Sequence, residues 1–174
     1  MLFLLVTSRI QAQKKFVIEK GQINFTSNAQ LELIKASSGE LKGIIDPATN
    51  QFAFRVNTHT FQGFNSSLQR EHFNENYIET EKCPTAVFSG KIIEQVDFSV
   101  DGTYDVRAKG DLDVHCQKQT RIIKSRITVK DGKLMVDAAF TVPLSDHNIS
   151  IPRIVSQKIA TDIEVNMTAT IMQQ

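Results

Sequence analysis

Apolar and polar residues alternate along most of this chain with a period of two, the pattern of strands that bury one face. Phe16 and Ile18 alternate with Val17 and Glu19, then Ile23 and Phe25 with Gln22, Asn24 and Thr26. Leu31, Leu33 and Leu41 carry the pattern onto a second strand, broken at Ser37-Ser38-Gly39. A strand ends at Asp46, Pro47 to Asn50 reads as a turn, and Phe52, Phe54 and Val56 then share a face. The longest run sets Tyr104, Val106, Ala108, Gly110, Leu112, Val114 and Cys116 against a polar face that ends in Asp113 and His115. It exceeds the usual strand of about 5 to 6 residues, and Gly110 is where a bend would cost least. Ile123, Ser125, Ile127 and Val129 follow, then a hairpin signal at Asp131-Gly132. Leu134 to Val142 and Ile163 to Ile171 supply two further alternating strands.

The alternation fails in one stretch, Phe61 to Gly90. Ser66 and Gln69 there have the spacing of a capping box, with Ser66 as N-cap. Leu68, Phe73, Tyr77 and Ile78 form no clean helical stripe, so the expectation is a short, irregular helix over about residues 66–78. Pro84 marks the return to strand. The fold class is all-β: roughly eight antiparallel strands closing as a barrel, with the helix near one end. A sandwich would usually use shorter, more numerous strands. An eight-strand interior can either fill with side chains or hold one apolar ligand, and the pattern leaves both open.

At 174 residues the chain is one domain. A net charge of +1 argues against a nucleic-acid surface, which would show a basic excess. The first dozen residues, MLFLLVTSRIQA, read as the remnant of a secretory signal, with a frayed strand as the alternative. Leu2 to Val6 is far short of the roughly 20 apolar residues that span a bilayer. Ile10-Gln11-Ala12 gives a passable cleavage site. The expectation is therefore a leader at 1–12, a domain at 13–174, no integral membrane segment in the mature protein, and a periplasmic or secreted location. His59, His72, His115 and His147 show no metal-ligand spacing, and no nucleophile elbow or phosphate loop occurs. No enzyme activity, metal or cofactor is expected. Cys83 and Cys116 are an even pair, so a disulfide is an option in an oxidising compartment. Two isolated cysteines in such a barrel are nevertheless expected to stay unpaired.

Several short runs recur in a specific order: Leu41-Lys42-Gly43-Ile44-Ile45-Asp46, Arg70-Glu71-His72-Phe73, Lys82 to Phe88, Gly110 to His115, and Ser145-Asp146-His147-Asn148-Ile149. By these the chain resembles the YceI-like family of exported bacterial proteins over nearly all of its mature length. The resemblance implies a lipocalin-like barrel whose cavity takes a long apolar chain of the polyisoprenoid or isoprenoid-quinone kind. True lipocalins are disfavoured separately, because their Gly-x-Trp signature cannot occur in a chain without Trp. One departure is Cys116, which stands where the family usually has Gly; on an inner face near a barrel end it could narrow the cavity or pair with another thiol.

Core filling is the ordinary role of any single inward Phe, but together such residues form the usual wall of an apolar site. The expected lining is Phe25, Phe52, Phe54, Val56, Phe61, Phe64, Phe73, Tyr77, Phe88, Tyr104, Val106, Leu112, Phe140 and Met167. The expected function is binding, sequestration or transport of an apolar long-chain lipid. The alternative is a structural or stress-response barrel with a filled interior that acts on a protein partner, and a homodimer is an open option.

Overall fold

The computed structural model describes residues 15–174, so the expected leader at 1–12 lies outside the described residues. Nine strands form one antiparallel sheet: β1 (Phe16–Asn28), β2 (Leu33–Ser38), β3 (Lys42–Asp46), β4 (Gln51–Asn57), β5 (Thr85–Ile92), β6 (Gly102–Val114), β7 (Gln117–Lys130), β8 (Lys133–Pro143) and β9 (Asp162–Gln173). From β3 to β9 each strand pairs with its sequence neighbour, and β9 returns to β1 to close the ring. One edge of β1 is shared: Ile23–Asn28 pair with β2, whereas Phe16 and Val17 pair with β3. β2 and β3 are therefore two halves of a single broken strand. The barrel has eight staves, as the alternation predicts.

Local irregularities follow from where the apolar residues must point. In β1 the inward parity changes from Phe16 and Ile18 to Ile23 and Phe25, and a register shift between Ile18 and Lys20 absorbs the extra residue. On β2 the structure corrects the expected face. Leu31 precedes the strand and is exposed, Leu33 faces outward, and Ile34 and Ala36 are the buried pair. A slip of one residue inverts every side chain. Leu41, beside the break, is buried as expected. Gly90 and Gly110 are cross-strand partners. A Cβ on Gly110 would lie 2.2 Å from the Ser89 carbonyl oxygen, so close strand approach requires glycine there.

The strand directions place the Pro47–Asn50, Ile93–Asp101 and Asp131–Gly132 connections at one end, called the lower end. The lower half of the interior is filled: Ile45, Ile127, Val129, Leu134 and Ile171 are almost wholly buried. Phe98, from the 93–101 loop, closes that end against Phe16 at 5.7 Å between ring centroids. The upper end carries the 29–32, 58–84, 115–116 and 144–161 connections.

β6 stops at Val114, one further correction. His115 and Cys116 do not continue the strand but form its hairpin turn with β7, both with positive φ (53° and 55°). Cys116 is therefore not on the inner face, nor His115 on the outer one.

Candidate functional site

The irregular helix forms the upper end. α1 (Ser67–His72) begins where Ser66 Oγ accepts from the Gln69 N–H at 3.1 Å. Gln69 completes the cap one residue earlier than a capping box would, its Oε1 accepting from the Asn65 N–H at 3.0 Å. Its Nε2 donates to Glu32 at 2.9 Å, tying the helix to the β1–β2 connection. At Phe73–Tyr77 the helix widens into a π turn, and π turns recur at functional sites. The preceding segment is held too: Gln62 exchanges backbone hydrogen bonds with Ser37 of β2, at 2.8 and 2.9 Å. Four rings then lock helix to barrel. Phe73 stacks on Phe25 of β1 at 5.4 Å, with Phe61 and Phe64 packed against both.

Beneath this lid lies a cavity of about 460 Å³. The barrel contributes Ile23, Phe25, Ile34, Val56, Ala86, Leu112, Phe140, Val142 and Val165, and the lid contributes Phe61, Phe64, Leu68, Phe73, Tyr77 and Ile78. The 144–161 connection supplies Leu144, Ile149, Val155 and Ile159. Polar lining is sparse: Ser27 at the upper end of β1, and on the lid and loops a few groups, among them Glu32, Thr58, Ser66, Gln69, His72 and Lys158. Burial pushes the Tyr77 phenol above its ordinary pKa, so it stays neutral at the cavity edge. Deeper lies a second space of about 80 Å³, lined by Phe52, Phe54, Phe88, Val106 and Met167 among others. Ile23, Val56, Ala86, Leu112 and Phe140 border both chambers.

Of the residues expected to line a cavity, Phe25, Val56, Phe61, Phe64, Phe73, Tyr77, Leu112 and Phe140 border the upper chamber. Phe52, Phe54, Phe88, Val106 and Met167 border the lower one. Tyr104 borders neither: it sits near the lower end, its hydroxyl donating to the Val100 carbonyl at 3.2 Å. Sequence reasoning missed the 144–161 wall, because Leu144, Ile149, Val155 and Ile159 follow no period. The one signal there was the Ser145–Ile149 run.

The far side of the lid is covalently fixed. Cys83 and Cys116 form a disulfide, with 5.5 Å between Cα atoms, which overturns the expectation of two free thiols. The pairing follows from the His115–Cys116 turn, which brings the second cysteine to the residue just before Pro84. Beside it, His115 Nδ1 lies 2.9 Å from the His147 carbonyl oxygen and Nε2 lies 3.0 Å from Glu79 Oε2. Both partners accept, so only a ring carrying both protons makes both bonds at once. Glu79 also pairs with Lys82. Hydrogen bonds from Lys82 and then His115 hold its carboxyl below the usual range. His147, wholly buried, is 2.9 Å from the Gln117 carbonyl through Nδ1. Arg121 pairs with Asp146 on the same side.

A closed antiparallel barrel with this lid matches a known pattern: the YceI-like domain model aligns with residues 9–171. The chain belongs to the YceI-like family. No curated protein matches it by sequence. Among solved structures, it resembles a polyisoprenoid binding domain from Saccharophagus degradans implicated in plant cell wall breakdown, with a TM-score of 0.77 at 13% identity, over 91% of this chain and 98% of that one. BcnA of Burkholderia cenocepacia gives 0.69 at 12% identity, covering 86% and 95%. The YceI protein of Campylobacter jejuni gives 0.60 at 15% identity, covering 81% and 85%. At such identities these likenesses establish the barrel and leave the ligand to the cavity's own chemistry. Among the described residues no helix is long and apolar enough to cross a membrane, and no group of three or more His, Cys, Asp or Glu is placed to hold a metal ion.

Proposed function

We propose that this YceI-like protein binds, and so sequesters or transports, an isoprenoid-type lipid, a polyisoprenoid or an isoprenoid quinone, in the chamber beneath the lid. The observation that carries the reading is the 460 Å³ apolar space walled by Phe25, Phe61, Phe64, Phe73 and Phe140. Burying about 0.8 kcal/mol of transfer free energy per methylene-sized group, such a chamber binds an apolar chain without polar contacts. Most of the few polar groups stand on the lid and loops, where a hydroxyl, quinone or phosphate head would emerge. The Saccharophagus degradans relative, described as polyisoprenoid binding, supports the ligand class. Apolar walls of this kind suit a carrier rather than an enzyme, since among the described residues they bring no acid–base pair to the chamber's depth. The disulfide supports an exported location, periplasmic or secreted, because such bonds persist in oxidising compartments.

Mass spectrometry of organic extracts tests the reading. Protein purified without detergent from its native host should yield an isoprenoid lipid near one molecule per chain. An extract without lipid, from protein that also takes up none from vesicles, would sink it.

A further inference from the structure

The rim of the chamber is apolar on its outer side as well. Single exposed hydrophobic side chains are ordinary on a protein surface, but four gather at this rim. Ile154 is 92% exposed, the largest value for any large hydrophobic residue among the described residues, and Leu31 is 64% exposed. Leu33 and Leu68 are exposed beside them. Hydrogen bonds join the segments that carry them. The Leu31 N–H donates to the Gln157 carbonyl at 2.8 Å, Asn65 Nδ2 to the Leu33 carbonyl at 3.1 Å, and Gln69 Nε2 to Glu32 at 2.9 Å. Ile154 is held outward by a 3-10 turn, Arg153–Val155, followed by a turn in which the Lys158 N–H donates to the Val155 carbonyl. Val155, Lys158 and Ile159 line the chamber. Exposed tip and chamber wall are thus two sides of one short segment.

Charge selects what this edge would meet. Residues 149–161 contain Arg153 and Lys158 and no Asp or Glu. The acids of the flanking segments are engaged: Glu32 accepts from Gln69 and Asn65, and Asp146 pairs with Arg121. Glu71 and Glu75 bound the patch on the lid side. The connections of the lower end have the opposite balance, with Glu94, Asp97, Asp101 and Asp131 and no Lys or Arg. An apolar tip flanked by cations is the composition of a segment that lies in a membrane interface and favours anionic headgroups. Resting on the lipid-binding reading above, we propose that the 149–161 edge, with Leu31, docks on an anionic phospholipid bilayer. Ile154 inserts below the headgroups, Arg153 and Lys158 sit among the phosphates, and the acidic lower end points away. A prenyl chain then passes between bilayer and chamber along Val155 and Ile159 without crossing water.

The chain contains no Trp, so a single Trp at the tip reports docking alone. The full chain carrying Ile154→Trp is mixed with phosphatidylglycerol–phosphatidylcholine vesicles free of prenol. Its emission should shift to the blue and resist an aqueous quencher, whereas that of Val100→Trp, at the exposed lower end, should stay unshifted. Ile154→Asp and Leu31→Asp should each weaken co-sedimentation with these vesicles about tenfold. Arg153→Gln should weaken it about fivefold, with little effect on pure phosphatidylcholine. Neither Ile154 nor Leu31 borders the chamber. Ile154→Asp, folded by circular dichroism, should therefore still take up farnesol from dilute ethanol, yet pass it between vesicles several-fold more slowly. Emission of Ile154→Trp unchanged by vesicles, or co-sedimentation indifferent to Ile154→Asp, overturns the docking edge, and farnesol uptake then still stands for lipid binding. Self-association that Ile154→Asp abolishes, without vesicle binding, overturns it in favour of a second copy of the chain. Wild type that docks but takes up no farnesol supports the edge and sinks the lipid-binding reading instead.

Discussion

Phe73 is where lid and cavity meet, stacked on Phe25 and edge-on to Phe61. Replacing it with Asp puts a charge among those rings and into the chamber, while the barrel core below, centred on Leu134 and Ile171, is untouched. Phe73→Asp should therefore stay folded by circular dichroism and lose about tenfold or more of the prenol it retains from vesicles; undiminished uptake would remove Phe73 from the site. Glu79 sets a pH dependence of known sign. Its carboxyl is held low first by Lys82 and then by His115. The charged form is thus favoured in the folded state, and its contribution is present above the ordinary carboxylate pKa and is lost as pH falls through the lowered one. Glu79→Gln should melt below wild type at neutral pH, and the gap in Tm should close below about pH 4. At this scale the sequence was only partly legible. Inward Phe residues announced themselves by alternation, but nothing local to Cys83 or Cys116 says that a turn brings them together.

Among the elements, the lid is the one whose attachment can be cut cleanly. Its disulfide joins residues 33 apart in sequence, a loop length for which loss of the cross-link costs about 3 to 4 kcal/mol in the chain-entropy account. The Cys83→Ser/Cys116→Ser double variant should shift the urea midpoint downward with little change in slope other than that from a looser denatured state. An unchanged midpoint would mean that Glu79, Lys82 and the β5 pairing already hold the lid end. The hairpin turn beside it places both His115 and Cys116 in left-handed backbone, as a two-residue β-hairpin turn of this type requires. Strands were the legible elements because a half-buried strand must alternate. Where the structure departs from that reading, a local event broke the period: the shift in β1, and on β2 a Leu31–Leu33 pair that mimics an inward face while Ile34 holds it. The 144–161 connection had no period to read, and its apolar residues find their role only when the barrel closes.

The whole molecule divides across its length rather than between domains. Its lower half is a packed core, and its upper half is a chamber closed by irregular segments. Those segments hold on through side chains and scattered backbone bonds: Gln69 to Glu32, Ser37 with Gln62, Leu31 to Gln157 at 2.8 Å and Ala160 to Ser27 at 2.8 Å. A ladder opens only with the global fold, but such links open locally at lower cost. Amide hydrogen exchange should therefore be slowest around Leu134, Ile127 and Ile171 and orders of magnitude faster at 66–82 and 144–161. A lipid in the chamber would touch both of these walls at once, through Phe73 and Tyr77 on one side and Ile149 and Ile159 on the other. Loading with farnesol should slow exchange in those two segments together and leave the lower strands unchanged, because a ligand stabilises only the openings that would release it. Protection spread evenly over the barrel would instead mean that the chain reaches the lower half, past Phe54 and Phe88.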